Sequence, residues 1–211
     1  DRLRSRGLGD VYKRQVFSIL LYIRDSILSI VQFYEKEWQT MKHLYFGDGK
    51  GKTTAAVGIA VRAAGSNLKV LFVQFLKTEF SGERHVLSHT ENVTLTLCPA
   101  DLKFTFQMNE KEKAQAAKIF KGIFDHSVTL ALTEKYDMVV FDEIIDAINA
   151  EMLTESEVVE FITNAPSSME IIMTGHNPSQ KMIDLCDYVT EFKKIKHPYD
   201  RGITGRIGVE F

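Results

Sequence analysis

The stretch GDGKGKTT, Gly47–Thr54, decides the fold. It is close to the phosphate-binding pattern G-x-x-x-x-G-K-[ST], but its spacing is short. Counting back five from Gly51 gives Phe46, and Gly47 leaves only three residues between the two glycines. The setting is nonetheless that of a phosphate loop. An apolar strand pattern, HLYF (His43–Phe46), leads in, and an alanine-rich helical pattern, TTAAVGIAVRAAG, leads out with Gly65 as its expected C-terminal cap. A triphosphate needs several donors converging on a small volume. Glycines let successive backbone N–H groups turn inward, and the helix that follows adds its positive N-terminal end. Lys52 supplies a point charge and the Thr53 hydroxyl a ligand for Mg2+. The candidate nucleotide-binding residues are Gly47, Asp48, Gly49, Lys50, Gly51, Lys52, Thr53 and Thr54.

Outward from the loop, strand and helix patterns alternate. KVLFVQF (Lys69–Phe75) and DMVVFDE (Asp137–Glu143) are near-continuous apolar runs, as expected of parallel strands buried on both faces. VTLTL (Val93–Leu97) and EIIMTG (Glu170–Gly175) are further strand candidates. Asn109 with Glu112 and Thr154 with Glu157 predict capping boxes opening two helices, and PSQKMIDLCD predicts another helix. YVTEFKKI and RIGVEF are expected to close the chain as strands. This alternation predicts an α/β fold, a P-loop NTPase-like, mostly parallel sheet with helices on both faces.

DMVVFDE carries the second half of the site. Asp142 and Glu143 end an apolar strand and so reach the carboxyl edge of the sheet, where open α/β folds bind ligands. With Thr53 they form the expected Mg2+ set. The same acid pair occurs in enzymes whose second acid orients a water. The two motifs alone therefore do not choose between hydrolysis, phosphoryl transfer and other chemistry.

Bulk properties narrow the class. The 211 residues suffice for one domain with a sizeable core, and the net charge of −2 gives no electrostatic case for a nucleic-acid partner. Two distant cysteines, Cys98 and Cys186, have no metal-ligand spacing, and a reduced, cytoplasmic setting is expected. His85 and His89 are four apart, with no cysteine or third ligand nearby, and are read as an ordinary surface pair. Residues 1–40 form an extension set apart from the domain at 41–211. DVYKRQ resembles translated adapter sequence, and VFSILLYIRDSILSIVQFY is short and broken for a membrane span. The extension is expected to be non-native, disordered or helical; the other reading is an amphipathic helix packed over the site or a partner subunit.

The segments taken together resemble one family. YFGDGKGKTTAAVGIAVRAAG, VLFVQFLK, YDMVVFDEI, MTGHNP and VTEFKKIKHPYDRGITGRIGVEF, in this order from Met41 to Phe211, are similar to the P-loop type of corrinoid adenosyltransferase. The short loop matches that family's own variant. The resemblance implies ATP and a corrinoid as substrates, with Mg2+. The Co(I) corrinoid attacks the ribose C5′ carbon and triphosphate leaves. Lys52 and Glu143 are then the expected catalytic residues, and Arg62 a weaker phosphate contact. LKFTFQM matches a segment that displaces the lower axial ligand of Co(II), so Phe104 and Phe106 are expected to wall the corrinoid, with Phe106 where the family carries Trp. Thr78 stands where Gly is frequent, and His176 where Arg is common. If that Arg helps to hold phosphate or corrinoid, a neutral His is expected to weaken the contact or to make binding pH-sensitive near neutrality. His197 is expected to fix the last turn. The resemblance further implies a homodimer and a reduced flavoprotein electron donor, and no membrane partner. Rival readings are a P-loop ATPase or kinase using Glu143, and a nucleotide-gated escort that binds a corrinoid without altering it.

Overall fold

The computed structural model describes residues 16–27, 40–77, 81–96 and 108–209. The chain divides into two units, Asp1–Gln39 and Thr40–Phe211. In the first, residues 16–27 form a helix, α1. Among the described residues, no helix is long and apolar enough to cross a membrane. Thr78, Cys98, Phe104 and Phe106 lie outside the described residues.

The second unit is built on six parallel strands, β1 (Lys42–Phe46), β2 (Val70–Gln74), β3 (Val93–Leu95), β4 (Met138–Asp142), β5 (Glu170–Gly175) and β6 (Tyr188–Glu191). Their order across the sheet is β3-β2-β4-β5-β1-β6, and each neighbouring pair is parallel. Every residue of β2 and β4 is buried, which accounts for their unbroken apolar sequence. Side chains alternate between two cores. Val70 and Phe72 of β2 join Val140 and Ile172 beneath α2 (Lys52–Gly65), whose buried residues are all alanines: Ala56, Ala60, Ala63 and Ala64. Their small side chains let α2 lie close to the sheet. Leu71 and Val73 join Phe141 and Ile171 on the other face. There Phe120 and Phe124 of α4 (Glu110–Thr133) and Phe161 of α6 (Glu155–Asn164) supply the bulk, with the Phe124 and Phe161 rings edge-on at 6.3 Å. Helices thus cover both faces, as the sequence pattern requires.

The shorter helices are α3 (Gly82–Leu87), α5 (Ile144–Asn149) and α7 (Gln180–Asp184). The expected capping box at α4 is present: the Asn109 side chain accepts from Glu112 N at 3.0 Å, and Glu112 accepts from Asn109 N at 2.9 Å. That at α6 is present too, with Thr154 N donating to Glu157 at 3.3 Å. His197 caps the 3-10 turn Pro198–Arg201, its Nδ1 accepting from Tyr199 N at 3.2 Å.

Two local expectations are corrected. Gly65 is the last helical residue of α2 and not its cap; Asn67 takes the left-handed conformation instead, with φ 62°, a role asparagine tolerates because its short side chain bonds locally. The RIGVEF segment is not a strand over its described part: Ile207–Val209 is a turn, with Gly208 at φ 76°. β6 already forms that edge of the sheet.

Candidate nucleotide site at the carboxyl edge of the sheet

Because all six strands run parallel, Phe46, Gln74, Asp142, Gly175 and Glu191 end along one edge. The glycine loop spans from the end of β1 to the start of α2 there. It lies against the chain leaving β6. Gly49 N donates to the Phe192 carbonyl at 2.6 Å, and Gly47 N to the Gly175 carbonyl at 3.2 Å. A Cβ at Gly49 would lie 2.6 Å from the Phe192 oxygen, and one at Gly47, whose φ is 114°, would lie 2.5 Å from it. No side chain fits at either position. These two N–H groups are therefore used within the protein. The loop residues that line the cavity are Gly49 through Thr54.

Lys52 is folded back over the loop. Its ammonium donates to the carbonyls of Gly47 (2.6 Å) and Gly49 (3.1 Å) and lies 3.2 Å from His176 Nε2. Burial lowers its pKa, opposed by the charges of Asp146, Glu143, Asp48 and Asp142. Beside it a network forms around the fully buried Asp142. Its Oδ1 accepts from the hydroxyls of Thr53 (3.1 Å) and Thr174 (2.8 Å), and its Oδ2 from the Gln74 amide (3.2 Å). Thr174 Oγ1 in turn accepts from Glu143 N at 2.8 Å. Burial pushes the Asp142 carboxyl up, with the Lys77 charge and these hydrogen bonds pulling it back. Gln74 is itself fixed: it donates to Glu83 at 3.0 Å and accepts from Arg84 at 3.0 Å.

Glu143 begins α5 in the left-handed conformation, φ 62°. Its Oε1 lies 3.2 Å from Lys77 Nζ. Burial pushes the Glu143 carboxyl up to about 7, against the Lys77 charge, which pulls it down. Lys77 is raised: burial alone would lower it, but the charges of Glu143 and Asp142 outweigh that effect.

These groups line a cavity of about 550 Å³, into which Lys50, Lys52, Thr53, Thr54, Lys77, Glu83, Glu143 and His176 all reach. Its size suits a nucleotide. Among the sequence-predicted residues, Gly49 through Thr54 and Glu143 line this cavity, Asp142 is buried behind Thr53, and Gly47 is not part of the lining. Asp48 does not face the cavity; its carboxylate accepts from Lys194 N at 2.9 Å, which lowers its pKa. Arg62 is not brought to the loop. It occupies the last turn of α2, and ten helical residues beyond Lys52 correspond to about 15 Å. Sequence reasoning missed Gln74, Lys77, Asp146, Thr174 and Phe192. A signal existed for two of them: Gln74 and Thr174 are polar residues inside otherwise apolar strands, each buried. Polar groups are buried when something bonds to them.

Thr53, with its hydroxyl at the cavity, the Glu143 carboxylate on the cavity wall and the Asp142 carboxylate buried behind Thr53 are oxygen groups of the kind Mg2+ takes. Among the described residues, no three His, Cys, Asp or Glu side chains gather to hold a metal. The His85 and His89 rings meet tilted at 52°, 4.9 Å apart, with the His85 carbonyl 2.7 Å from His89 Nδ1.

Residues 39–211 match the family described as ATP:corrinoid adenosyltransferase BtuR/CobO/CobP. The chain belongs to this family. A corrinoid adenosyltransferase of Escherichia coli K12 is 32% identical over 169 residues, which is 80% of this chain and 84% of the relative. One of Salmonella typhimurium is 31% identical over the same shares of each chain, and one of Pseudomonas aeruginosa 30% identical over 80% and 82%. Among solved structures, the cytoplasmic domain of EssC aligns with 78% of this chain and 34% of its own, at 14% identity and a TM-score of 0.44.

Gly49→Ala forces the loop off the Phe192 carbonyl, so ATP affinity by calorimetry is expected to fall at least about tenfold with the far-UV circular dichroism unchanged; unaltered affinity would contradict the close approach. Glu143 has a folded pKa above its unfolded one, so its contribution to stability is full below the unfolded value and is lost as pH rises through about 7. In metal-free buffer, the urea midpoint of the wild-type chain relative to Glu143→Gln is expected to drop between pH 5 and 8. A constant difference would refute the raised carboxyl.

Proposed function

We propose that the chain transfers the 5′-deoxyadenosyl group of ATP to the Co(I) centre of a corrinoid, releasing inorganic triphosphate. The observation that supports this best is the gathering of Lys50, Lys52, Lys77 and His176 around one cavity at the glycine loop, in a chain of this family. In the reaction, a Co(I) electron pair forms the Co–C5′ bond. The C5′–O bond breaks, and its electron pair leaves with the triphosphate. No phosphoryl group moves and no proton is transferred.

The protein's task is to stabilise a polyanionic leaving group. The Lys52 ammonium, the backbone N–H groups from Lys50 to Thr54 and the N-terminal end of α2 all oppose the growing negative charge. Thr53 would hold Mg2+ directly, and Asp142 and Glu143 would orient its water ligands. The ion would add further positive charge at the phosphates. Lys77 lies 3.2 Å from Glu143 and holds that acid in place. Phe104 and Phe106 are assigned to the corrinoid side, where apolar rings exclude water from Co(I) and remove the lower ligand of Co(II). The working enzyme is proposed to be a cytoplasmic homodimer supplied by a reduced flavoprotein.

Incubation with ATP, Mg2+ and chemically reduced cobalamin is expected to yield adenosylcobalamin and triphosphate. ADP and phosphate without a Co–C bond would favour an ATPase, and unchanged ligands an escort; either result rejects the proposal. Lys52→Ala is expected to lower turnover by about 10²–10³-fold, and full activity would refute the leaving-group clamp. Phe104→Ala should slow adenosylation from Co(II) far more than from pre-reduced Co(I). Equal losses in the two assays would reduce that ring to packing.

A further inference from the structure

We propose that His176 is a proton-coupled phosphate contact, neutral while it accepts from Lys52 and converted to a donor when nucleotide draws Lys52 away. The proposal rests on the nucleotide reading of the cavity and adds a positioning residue and a pH dependence to it.

An ammonium has three donors, and those of Lys52 meet three acceptors: Gly47 O at 2.6 Å, Gly49 O at 3.1 Å and His176 Nε2 at 3.2 Å. All three are protein groups, so Lys52 must release at least one to bind a phosphate oxygen. The two carbonyls belong to the loop itself. His176 Nε2 is the longest contact and comes from the chain beyond β5.

The same contact fixes the tautomer. An ammonium only donates, so Nε2 carries a lone pair and the ring proton sits on Nδ1. That proton points at Asp146 Oδ1, 2.9 Å away. The backbone is pinned as well, with the Asn149 amide donating to the His176 carbonyl at 2.8 Å. Asp146 Oδ2, by contrast, is buried and has no hydrogen-bond partner among the described residues. The resting arrangement thus leaves a carboxylate under-compensated beside a neutral ring.

Bound polyphosphate changes the balance at His176. Once Lys52 turns to the phosphates, Nε2 faces an anion without a proton to offer. Asp146 remains at Nδ1. A ring between two anions favours the charged form, so a proton is taken from solvent at Nε2, and the imidazolium then donates to phosphate and pairs with Asp146. The other charged groups around this cavity are Lys50 from the loop, Lys77 after β2, Glu83 of α3 and Glu143 at the start of α5. The lysines oppose protonation until phosphate neutralises them, and the two acids favour it. The ring side chain is about half exposed, which gives the proton a path from solvent.

Nitrogen-15 NMR of histidine-labelled protein tests this, with ATP and Mg2+ but no corrinoid. The His176 signals are those missing from His176→Gln. The expected result is an Nδ1–H tautomer without ATP and a doubly protonated ring at saturating ATP. Calorimetry gives a second readout: between pH 6.5 and 8.5 the ATP affinity of the wild-type chain should fall about tenfold more than that of His176→Gln, while His176→Arg should show little pH dependence. ATP binding with a neutral His176 and matching pH profiles overturns the proton coupling alone. Absence of ATP binding overturns the nucleotide reading and this inference with it.

Discussion

The close approach of the glycine loop to the chain leaving β6 is the constraint on which the rest of the site depends. Gly49 N lies 2.6 Å from the Phe192 carbonyl, and a single added carbon at Gly47 or Gly49 would collide with that oxygen. The loop has one strand end, β1, behind it and the continuation of a neighbouring strand beneath it. This contact sets where α2 begins. It therefore sets where the Lys52 ammonium, the Thr53 hydroxyl and the helix N-terminus stand relative to the sheet edge. The short spacing between Gly47 and Gly51 is workable because the support comes from outside the loop.

The second fixed element is the carboxylate of Asp142. It is buried and satisfied by Thr53, Thr174 and Gln74 together. Those donors come from α2, β5 and β2, so one side chain ties four elements, counting its own strand β4, at the ligand edge. A buried charge costs much unless it is bonded in this way. The network is useful because the Thr53 hydroxyl donates inward to Asp142 and turns its lone pairs toward the cavity. The neighbouring groups balance burial against charge: burial moves Glu143 up to about 7, while the acids beside Lys77 raise it.

Much of this was legible in the sequence. Buried parallel strands announce themselves as apolar runs, and β2 and β4 are instances. Asn109–Glu112 marked the start of α4 because capping chemistry is local. Lys52, Thr53, Asp142 and Glu143 were readable because each lies at a junction between strand and helix. Distances between segments far apart in the chain were not legible. Phe192 meets Gly49, and His176 meets Lys52 and Asp146, only through the order of strands β4, β5, β1 and β6. Arg62 is not brought to the loop for the converse reason: it shares a helix with Lys52 but sits at its far end. Gly65 and Asn67 both suit a helix terminus, and local pattern does not choose between them.

A chain of this family with a phosphate loop poses a chemical question about one bond. Lysines gathered at the triphosphate serve equally to hold a nucleotide for phosphoryl transfer or to carry away a leaving group. In the proposed reaction, cleavage falls between C5′ and its oxygen. ATP labelled with oxygen-18 at the ribose 5′ position, reacted with reduced cobalamin and analysed by mass spectrometry, tests that directly. The label is expected in the triphosphate. Label retained in an adenosine-containing product, with phosphate released unlabelled, would contradict it.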